Sequence, residues 1–304
     1  MKTWILTGTA FLFLSAVAVF GQTAQLPPMK STRVFGQQIV YYDVGSGPVI
    51  VLLHGLGSRA SFDWGPVLLP LAKHHRVLAM DQIGFGASDK PAIDYRIQTW
   101  VDFLGEFLRQ QKVDHFVLGG ESLGGWIAAL YTIQALGPTP AANAISPLPV
   151  PEKLILSDAG GHSHLAQNLP PDLANNLVAG SLLLTKQLLS HVYYNKALVT
   201  DEVARQAFIT KLASGDGFTV RSIMTSPESK AESLDDRLGE ITIPTLIFWG
   251  ANDEFIPVDD GYDFQKRIPH AKLIVVPECG HAPEIEKPNV YLEGVRGFLG
   301  EPAK

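Results

Sequence analysis

The segment that decides the fold is HFVLGGESLGGW, His115–Trp126. Residues 115–118 begin it with a largely apolar run that predicts a strand, and the apolar residues 126–135 predict a helix directly after it. The turn between them, Gly120–Gly124, has the pattern G-x-S-x-G, in which glycines permit a tight turn that side chains would obstruct. We therefore expect Ser122 at the tip of a sharp, strained connection from strand to helix.

Strands and helices alternate on both sides of this segment. Val49–Leu53 is entirely apolar, which is the pattern of a strand buried on both faces within a parallel sheet. Further strands are predicted at 33–43, 76–80, 153–157, 241–249 and 272–276, and further helices at 64–74, 99–111 and 288–299. This alternation indicates an α/β fold with a mostly parallel sheet that is covered by helices on both faces.

The alternation stops between residues 162 and 239, where helical patterns occur without a clear buried strand. We predict a helical insertion over these residues. It divides the predicted α/β core into a first part, residues 30–161, and a second part, residues 240–304.

Two polar residues follow predicted strands in the second part of the core. Asp253 lies on the loop after strand 241–249, and His281 lies on the loop after strand 272–276. Because the carboxyl ends of parallel strands share one edge of a sheet, both side chains can meet Ser122 there. A serine hydroxyl needs an imidazole to remove its proton, and the imidazole needs a carboxylate to orient it. The order serine, acid, histidine therefore predicts a catalytic triad of Ser122, Asp253 and His281.

Several neighbouring residues have alternative interpretations. Asp158 also follows a predicted strand, so it could replace or support Asp253 as the acid of the triad. Glu121 is interpreted as a packing or site-shaping residue, since adjacent residues on a tight turn point in different directions. His54 is interpreted as a structural hydrogen-bonding residue, and Asp81 as a carboxylate that organises a turn and not as a metal ligand.

The remaining histidines of interest, His162, His164 and His191, lie in the predicted insertion and are interpreted as cap or surface residues. Cys279 is the only cysteine, so it cannot form an internal disulfide, and it is interpreted as a small buried hydrophobe. The fold must therefore be held by its core.

Composition and the first residues limit the protein class and its location. The chain has 304 residues, 46% hydrophobic residues and a formal charge of −6, which disfavours disorder and nucleic-acid binding. Lys2 precedes an apolar run, 4–20, and small residues follow it, as in a signal peptide that ends near Gly21. We predict a signal peptide over residues 1–21 and a secreted or periplasmic protein; the alternative is an uncleaved membrane anchor, the only membrane contact we expect.

From about residue 35 to 299 the chain resembles the α/β-hydrolase family, and within it the small-molecule hydrolases such as esterases and meta-cleavage-product hydrolases. The stretches that carry the resemblance are Leu53–Gly57, Asp81–Ser88, the turn around Ser122, Gly250–Asp253 and Gly280–His281. The resemblance implies an eight-stranded, mostly parallel sheet, a helical cap formed by residues 162–239, and no cofactor or metal ion. It also implies an oxyanion hole formed by the backbone N–H groups of Leu56 and Leu123.

These expectations define the functional hypothesis. Family members that cleave epoxides or alkyl halides need a carboxylate nucleophile, so Ser122 disfavours both activities. We predict a serine hydrolase that cleaves a carboxylic ester of a small or medium apolar substrate through an acyl-enzyme. Two alternatives stay open, namely hydrolysis of a carbon–carbon bond by the same triad and a non-catalytic small-molecule-binding protein on this fold. The sequence leaves the oligomeric state open.

Overall fold

The structure is a computed structural model that describes residues 25–137, 147–164, 177–178, 180–226 and 231–301. The predicted signal peptide, residues 1–21, lies outside the described residues. Within the part of the chain that is described, no helix is both long enough and apolar enough to cross a bilayer.

The centre of the protein is one eight-stranded sheet with the strand order β1-β2-β4-β3-β5-β6-β7-β8. Its strands are β1 (Lys30–Val34), β2 (Gln37–Val44), β3 (Val49–Leu53), β4 (Arg76–Met80), β5 (Phe116–Glu121), β6 (Lys153–Ser157), β7 (Thr245–Gly250) and β8 (Ala271–Val276). The pairs β1–β2 and β2–β4 are antiparallel, and every other neighbouring pair is parallel. The predicted fold class, a mostly parallel eight-stranded sheet, is confirmed.

The predicted segment 33–43 is divided between two antiparallel strands, β1 and β2. Besides this, two strand boundaries differ from the sequence prediction by three or more residues, for identifiable reasons. Strand β5 continues past the predicted end at Leu118, because Gly119 and Gly120 still pair with β3 and Glu121 still pairs with Ser157 of β6. Strand β7 begins four residues later than predicted, at Thr245, directly after Pro244, which has no N–H group for the ladder. The extension of β5 matters for function, because it makes Glu121 the last residue of a buried strand.

Helices cover both faces of this sheet. They are α1 (Ala60–Asp63), α2 (Gly65–Leu71), α3 (Ile97–Gln110), α4 (Leu123–Leu136), α5 (Leu182–Val192), α6 (Asp201–Ser214), α7 (Gly217–Thr225), α8 (Val258–Arg267), α9 (Pro283–Glu286) and α10 (Pro288–Leu299). Helix α4 is apolar on all sides and mostly buried, whereas α3 is amphipathic and buries one face. One large apolar cluster contains residues of α3, α4 and α8, and a second contains residues of α2 and α10. The core therefore holds the carboxyl ends of β3, β5, β6, β7 and β8 in fixed positions.

The predicted insertion, residues 162–239, contains α5, α6 and α7, and no strand occurs in its described residues. Its described helices α5 and α6 pack on each other and share a small apolar cluster with Ala282 of the core. These helices bring apolar side chains over the loops that follow β3 and β8.

Candidate active site

Ser122 lies at the sharp turn between β5 and α4. Its backbone has φ +50° and ψ −115°, a strained combination for a residue that is not glycine. Its N–H donates to the carbonyl of Ser157 at 2.9 Å, and its carbonyl accepts from Gly160 at 3.0 Å. A Cβ atom at Gly124 would lie 2.2 Å from the carbonyl oxygen of Leu53, so only glycine permits this close approach. Packing and backbone hydrogen bonds thus hold the strained turn.

The structure brings the three predicted triad side chains into one chain of hydrogen bonds. The Nε2 atom of His281 lies 3.0 Å from the hydroxyl oxygen of Ser122. The Nδ1 atom of His281 lies 2.7 Å from a carboxylate oxygen of Asp253. If Nδ1 donates to Asp253, Nε2 is free to accept the serine proton. The arrangement can activate the hydroxyl of Ser122 as a nucleophile.

The acid and the imidazole are themselves held in place. The second carboxylate oxygen of Asp253 accepts from the N–H groups of Phe255 at 2.7 Å and Ile256 at 3.0 Å. The ring of Phe255 stacks on the imidazole of His281 with a centroid distance of 4.9 Å and an interplanar angle of 20°. These contacts restrict both side chains to the orientation that the hydrogen bonds require.

The two predicted oxyanion donors lie on separate segments beside Ser122. Leu123 is the first residue of α4, and Leu56 lies on the loop that follows β3. Leu56 lines the same cavity as Ser122. In the described parts of the chain, neither N–H group donates to another protein atom. The absence of a protein acceptor in the described residues is compatible with the predicted role, which stays a prediction.

The loop that carries His281 is joined to the end of helix α5. The N–H of His281 donates to the carbonyl of Val192 at 2.8 Å. The carboxylate of Glu286 accepts from Gly280 at 2.6 Å and from Tyr194 at 3.2 Å. A Cβ atom at Gly280 would lie 2.3 Å from the carbonyl oxygen of Val192, so glycine is required for this contact. The position of the catalytic imidazole therefore depends on the insertion as well as on the core.

A cavity of about 640 Å³ opens at Ser122 and His281. Helices α5 and α6 form one wall, and the loops after β3, β7 and β8 form the other. Its apolar lining residues include Leu56, Phe62, Leu177, Leu188, Leu189, Val192, Val203, Phe255, Ile256 and Ile285. This size and lining are typical of a site for a small organic molecule.

Glu121 and Asp63 also line this cavity. The interpretation of Glu121 as a packing or site-shaping residue agrees with this position, and one of its oxygens lies 3.5 Å from Nε2 of His281. Sequence reasoning did not identify Asp63. Glu121 is buried, with 5% of its surface exposed. Its side chain forms a hydrogen bond with Asp63. Burial, followed by the charge of Asp63, raises the pKa of Glu121 well above its usual range. Its surroundings therefore favour the protonated form of Glu121.

Asp158 does not replace Asp253 beside the imidazole. Its carboxyl group is fully buried, accepts from the N–H of Gly250 at 2.9 Å and forms a hydrogen bond with Asp253. Burial, followed by the charge of Asp253, raises the pKa of Asp158 well above its usual range. Its surroundings therefore favour the protonated form of Asp158, which can donate to Asp253.

The other residues that the sequence analysis singled out have structural contacts. His54 is buried, with Nδ1 2.8 Å from the carbonyl of Gly55 and Nε2 accepting from Gln82 at 3.0 Å, which confirms its structural role. Asp81 accepts from the N–H groups of Ala60 and Ala87, each at 2.8 Å, which confirms its role in organising backbone.

The cysteine and the three histidines of the insertion are absent from the lining of the cavity. Cys279 is buried as predicted, and burial raises the pKa of its thiol. His191 pairs with Glu254 at 2.7 Å, and His164 pairs with Asp260 at 3.2 Å. His162 is buried and not on the surface, since it lies between Asp235 and Asp263 at 3.0 and 3.2 Å. None of these three histidines lines the cavity.

One group of side chains within the described residues has the spacing of a metal site. The relevant atoms of Asp158, Asp253 and His281 lie within 4.8 Å of one another. Their hydrogen bonds already account for this proximity, because Asp253 joins the other two side chains. We therefore assign the group to the catalytic hydrogen-bond chain.

Comparisons with known proteins agree with this geometry. The profile of a family described as the alpha/beta hydrolase fold matches residues 48–288. The 2-hydroxy-6-oxo-2,4-heptadienoate hydrolase of Pseudomonas putida is 27% identical over 271 residues, which cover 85% of this chain and 91% of that protein. The 2-hydroxymuconate semialdehyde hydrolase of a Pseudomonas species is 27% identical and covers 86% of this chain and 89% of its own.

Solved structures are similar over almost the whole chain. The meta-cleavage product hydrolase CumD of Pseudomonas fluorescens matches with a TM-score of 0.77 and 25% identity, and the match covers 89% of this chain and 97% of that one. Est816, described as an N-acyl homoserine lactone degrading enzyme, matches with a TM-score of 0.74 and 25% identity, covering 88% and 100% of the two chains. The similar proteins thus include hydrolases of dienoate and meta-cleavage products and an enzyme that degrades N-acyl homoserine lactones.

Proposed function

Since the chain belongs to the α/β-hydrolase fold family and is an enzyme of that superfamily, we propose that it hydrolyses a carboxylic ester through an acyl-enzyme on Ser122. The observation that carries the proposal is the continuous hydrogen-bond chain from Asp253 through His281 to Ser122. Neutral imidazole in that position makes the hydroxyl a usable nucleophile.

In the first half of the reaction, the Ser122 oxygen attacks the carbonyl carbon while its proton moves to Nε2 of His281. The carbonyl oxygen becomes an oxyanion, and the N–H groups of Leu56 and Leu123 stabilise it. Asp253 stabilises the imidazolium by its hydrogen bond to Nδ1. The tetrahedral intermediate then collapses, and the leaving alkoxide takes the proton from Nε2.

In the second half, a water molecule attacks the acyl group on Ser122 while its proton moves to Nε2 of His281. The oxyanion forms again at the same two donors. Collapse of this intermediate returns the proton to the Ser122 oxygen and releases the carboxylic acid. The same three side chains thus serve both halves without any net change.

The cavity supports a small or medium apolar substrate. Its volume of about 640 Å³ and its lining from α5 and α6 suit a compact acyl or alcohol group. We also propose that the protein is secreted or periplasmic, on the pattern of its first residues.

Replacing Ser122 with alanine should abolish turnover of nitrophenyl esters without changing the fold. Assays of the mature protein with esters of increasing acyl chain length identify the preferred substrate. Circular dichroism verifies that the variant is folded. A fluorophosphonate probe should label the wild type and leave Ser122→Ala unlabelled. An undiminished rate in Ser122→Ala would refute the mechanism, and failure of the probe to label the wild type would favour a binding protein.

A second candidate activity is hydrolysis of a carbon–carbon bond in a vinylogous diketone. Relatives whose names specify such dienoate substrates support it, and these substrates carry a carboxylate. Arg59 and Lys211 both line the cavity and could contact such a group. The guanidinium of Arg59 contacts Thr210 at 3.3 Å, and its Nε atom has no protein partner in the described structure.

Assays of one diketone acid and one nitrophenyl ester of similar size separate these two activities. Ester hydrolysis predicts a higher kcat/KM for the ester, and turnover of the diketone alone would replace the ester assignment. Replacing Arg59 with methionine should raise KM for the diketone acid selectively, since it removes the charge and keeps the length of the side chain.

A further inference from the structure

The two donors of the oxyanion hole lie on segments that are far apart in sequence. Leu56 follows β3, whereas Leu123 begins α4 after the turn at Ser122. An oxyanion hole works only when both N–H groups point to one oxygen, so something must keep these two segments in a fixed relation. Two buried carboxyl groups, Asp63 and Glu121, occupy the space between them.

Asp63 holds the first segment. One of its oxygens accepts from the N–H of Gly55 at 2.8 Å, and the other accepts from the hydroxyl of Ser58. These two donors flank Leu56 in the chain. The carboxylate of Asp63 therefore fixes the loop that carries Leu56.

Glu121 connects that carboxylate to the second segment. It immediately precedes Ser122 and Leu123, and its side chain forms a hydrogen bond with Asp63. A Cβ atom at Gly55 would lie 2.1 Å from an oxygen of Glu121, so the carboxyl group packs directly against the backbone of the loop. Two adjacent carboxyl groups can form a hydrogen bond only when one of them keeps its proton.

We propose that Glu121 is a positioning residue whose protonated carboxyl group, by donating to Asp63, holds the Leu56 and Leu123 N–H groups at the separation that the oxyanion requires. The proposal deepens the hydrolase function proposed above and rests on it. Asp63 is the charged member of the pair because it already accepts two other hydrogen bonds, whereas Glu121 supplies the proton.

The contact between Glu121 and His281 gives a second reason why Glu121 must be neutral. An oxygen of Glu121 lies 3.5 Å from Nε2, the atom that must take the proton of Ser122. An ionised Glu121 would accept from the protonated Nε2 and divert that proton from the reacting oxygens, and it would also place a negative charge beside the developing oxyanion. Both effects oppose the reaction, so activity should fall when Glu121 loses its proton.

Titratable groups from several elements surround Glu121. They are Asp63 on α1, Asp158 after β6, Tyr193 after α5, His281 after β8, Glu284 on α9 and Tyr291 on α10. Burial is the largest cause of the raised pKa of Glu121, and the charge of Asp63 is the next. The activity of the wild type should therefore decline as the pH rises through this raised pKa.

Glutamine and alanine at position 121 distinguish a hydrogen-bond donor from a simple space-filling group. Glu121→Gln keeps the shape and a donor for Asp63 and cannot ionise, so we expect kcat within about fivefold of the wild type and a weaker decline at alkaline pH. Glu121→Ala removes the donor, and we expect kcat to fall by about 10- to 100-fold with little change in KM. Glu106→Gln, a substitution of the same type at a half-buried position on α3, is the matched control and should turn over ester as the wild type does.

The pH dependence of thermal unfolding tests the same proton without relying on turnover. Glu121 keeps its proton in the folded protein above its ordinary pKa of 4.5, so the wild type loses stability as the pH rises from there towards the raised folded value. Glu121→Gln lacks this loss. The Tm of Glu121→Gln minus that of the wild type should therefore increase between pH 5 and pH 8, while Glu106→Gln should show no such increase.

Each result decides the proposal. A wild-type kcat in folded Glu121→Ala, or equal loss of kcat in Glu121→Gln and Glu121→Ala, would overturn it. A Tm difference that does not change with pH would also overturn it, even if Glu121→Ala fails to fold. If the wild type neither turns over esters nor reacts with a fluorophosphonate, the proposed function fails, and the Tm difference still decides whether Glu121 holds the proton.

Discussion

Two pairs of carboxyl groups flank His281, and they differ in the groups to which they form hydrogen bonds. On the Nδ1 side, Asp253 bonds directly to the imidazole and is paired with Asp158. On the Nε2 side, Asp63 bonds to backbone and hydroxyl groups of the loop after β3 and is paired with Glu121. Each pair joins a carboxylate from a loop or short helix to a neutral acid at the end of a strand.

The comparison separates two ways in which buried acids support one reaction. The Asp253 pair acts through the imidazole, because its charge stabilises the protonated ring. The Asp63 pair acts through the backbone, because it positions the loop that carries an oxyanion donor. Removing the charge of Asp253 should therefore lower kcat severely. Disturbing the loop that Asp63 positions should lower kcat only moderately.

The largest expected effect is that of Asp253→Asn. The amide cannot stabilise the imidazolium and can hold the wrong tautomer of His281, so kcat should fall about 10⁴-fold while KM changes little. Steady-state kinetics with the best ester substrate measures this loss. If Asp253→Asn keeps a tenth of the wild-type kcat or more, a different group carries the charge, and Asp158 is the first to test.

The next effect is that of Asp63→Asn on the other side of the imidazole. Its amide offers only one acceptor oxygen to the donors at Gly55 and Ser58, so the loop loses one of its two hydrogen bonds. We expect kcat to fall about 10- to 100-fold. A trifluoromethyl ketone, which forms a tetrahedral adduct with Ser122, should lose affinity by the same factor as kcat/KM.

Asp43→Asn is the matched control for Asp63→Asn. Asp43 lies on β2 and pairs with Lys30 and Arg76, far from the cavity lining. Its replacement should change neither kcat nor inhibitor affinity. Unchanged inhibitor affinity in Asp63→Asn, at a lowered kcat, would place the role of Asp63 outside the oxyanion hole.

The two pairs also show why only part of the site follows from sequence. The triad was predictable because Ser122, Asp253 and His281 each follow an apolar strand, and parallel strands bring their carboxyl ends to one edge. The alternating apolar segments likewise predicted the sheet and most of its helices. In each case a local pattern has one structural interpretation, so no knowledge of distant contacts is needed.

The Asp63–Glu121 pair lacks such a pattern. Asp63 belongs to α1, a helix of only four residues that is too short to show apolar periodicity. The direction of the Glu121 side chain depends on β5 continuing past Gly120, and that continuation depends on pairing with β6. Both features arise from tertiary contacts, although two acids near a predicted nucleophile could have been flagged by residue type alone.

The smallest expected effect is that of Asp158→Asn, and it tests whether the two pairs are built alike. The amide of asparagine can donate to Asp253 as the protonated acid does, so kcat should stay within about threefold of the wild type. Asp158 keeps its proton in the folded protein above its ordinary pKa of 3.8, so the wild type loses stability as the pH rises from there towards the raised folded value. In thermal unfolding, the Tm of Asp158→Asn minus that of the wild type should therefore increase between pH 5 and pH 8. A loss of kcat as large as that of Asp253→Asn would instead mean that the negative charge on the Nδ1 side is shared by both acids, and the two pairs would then differ in kind.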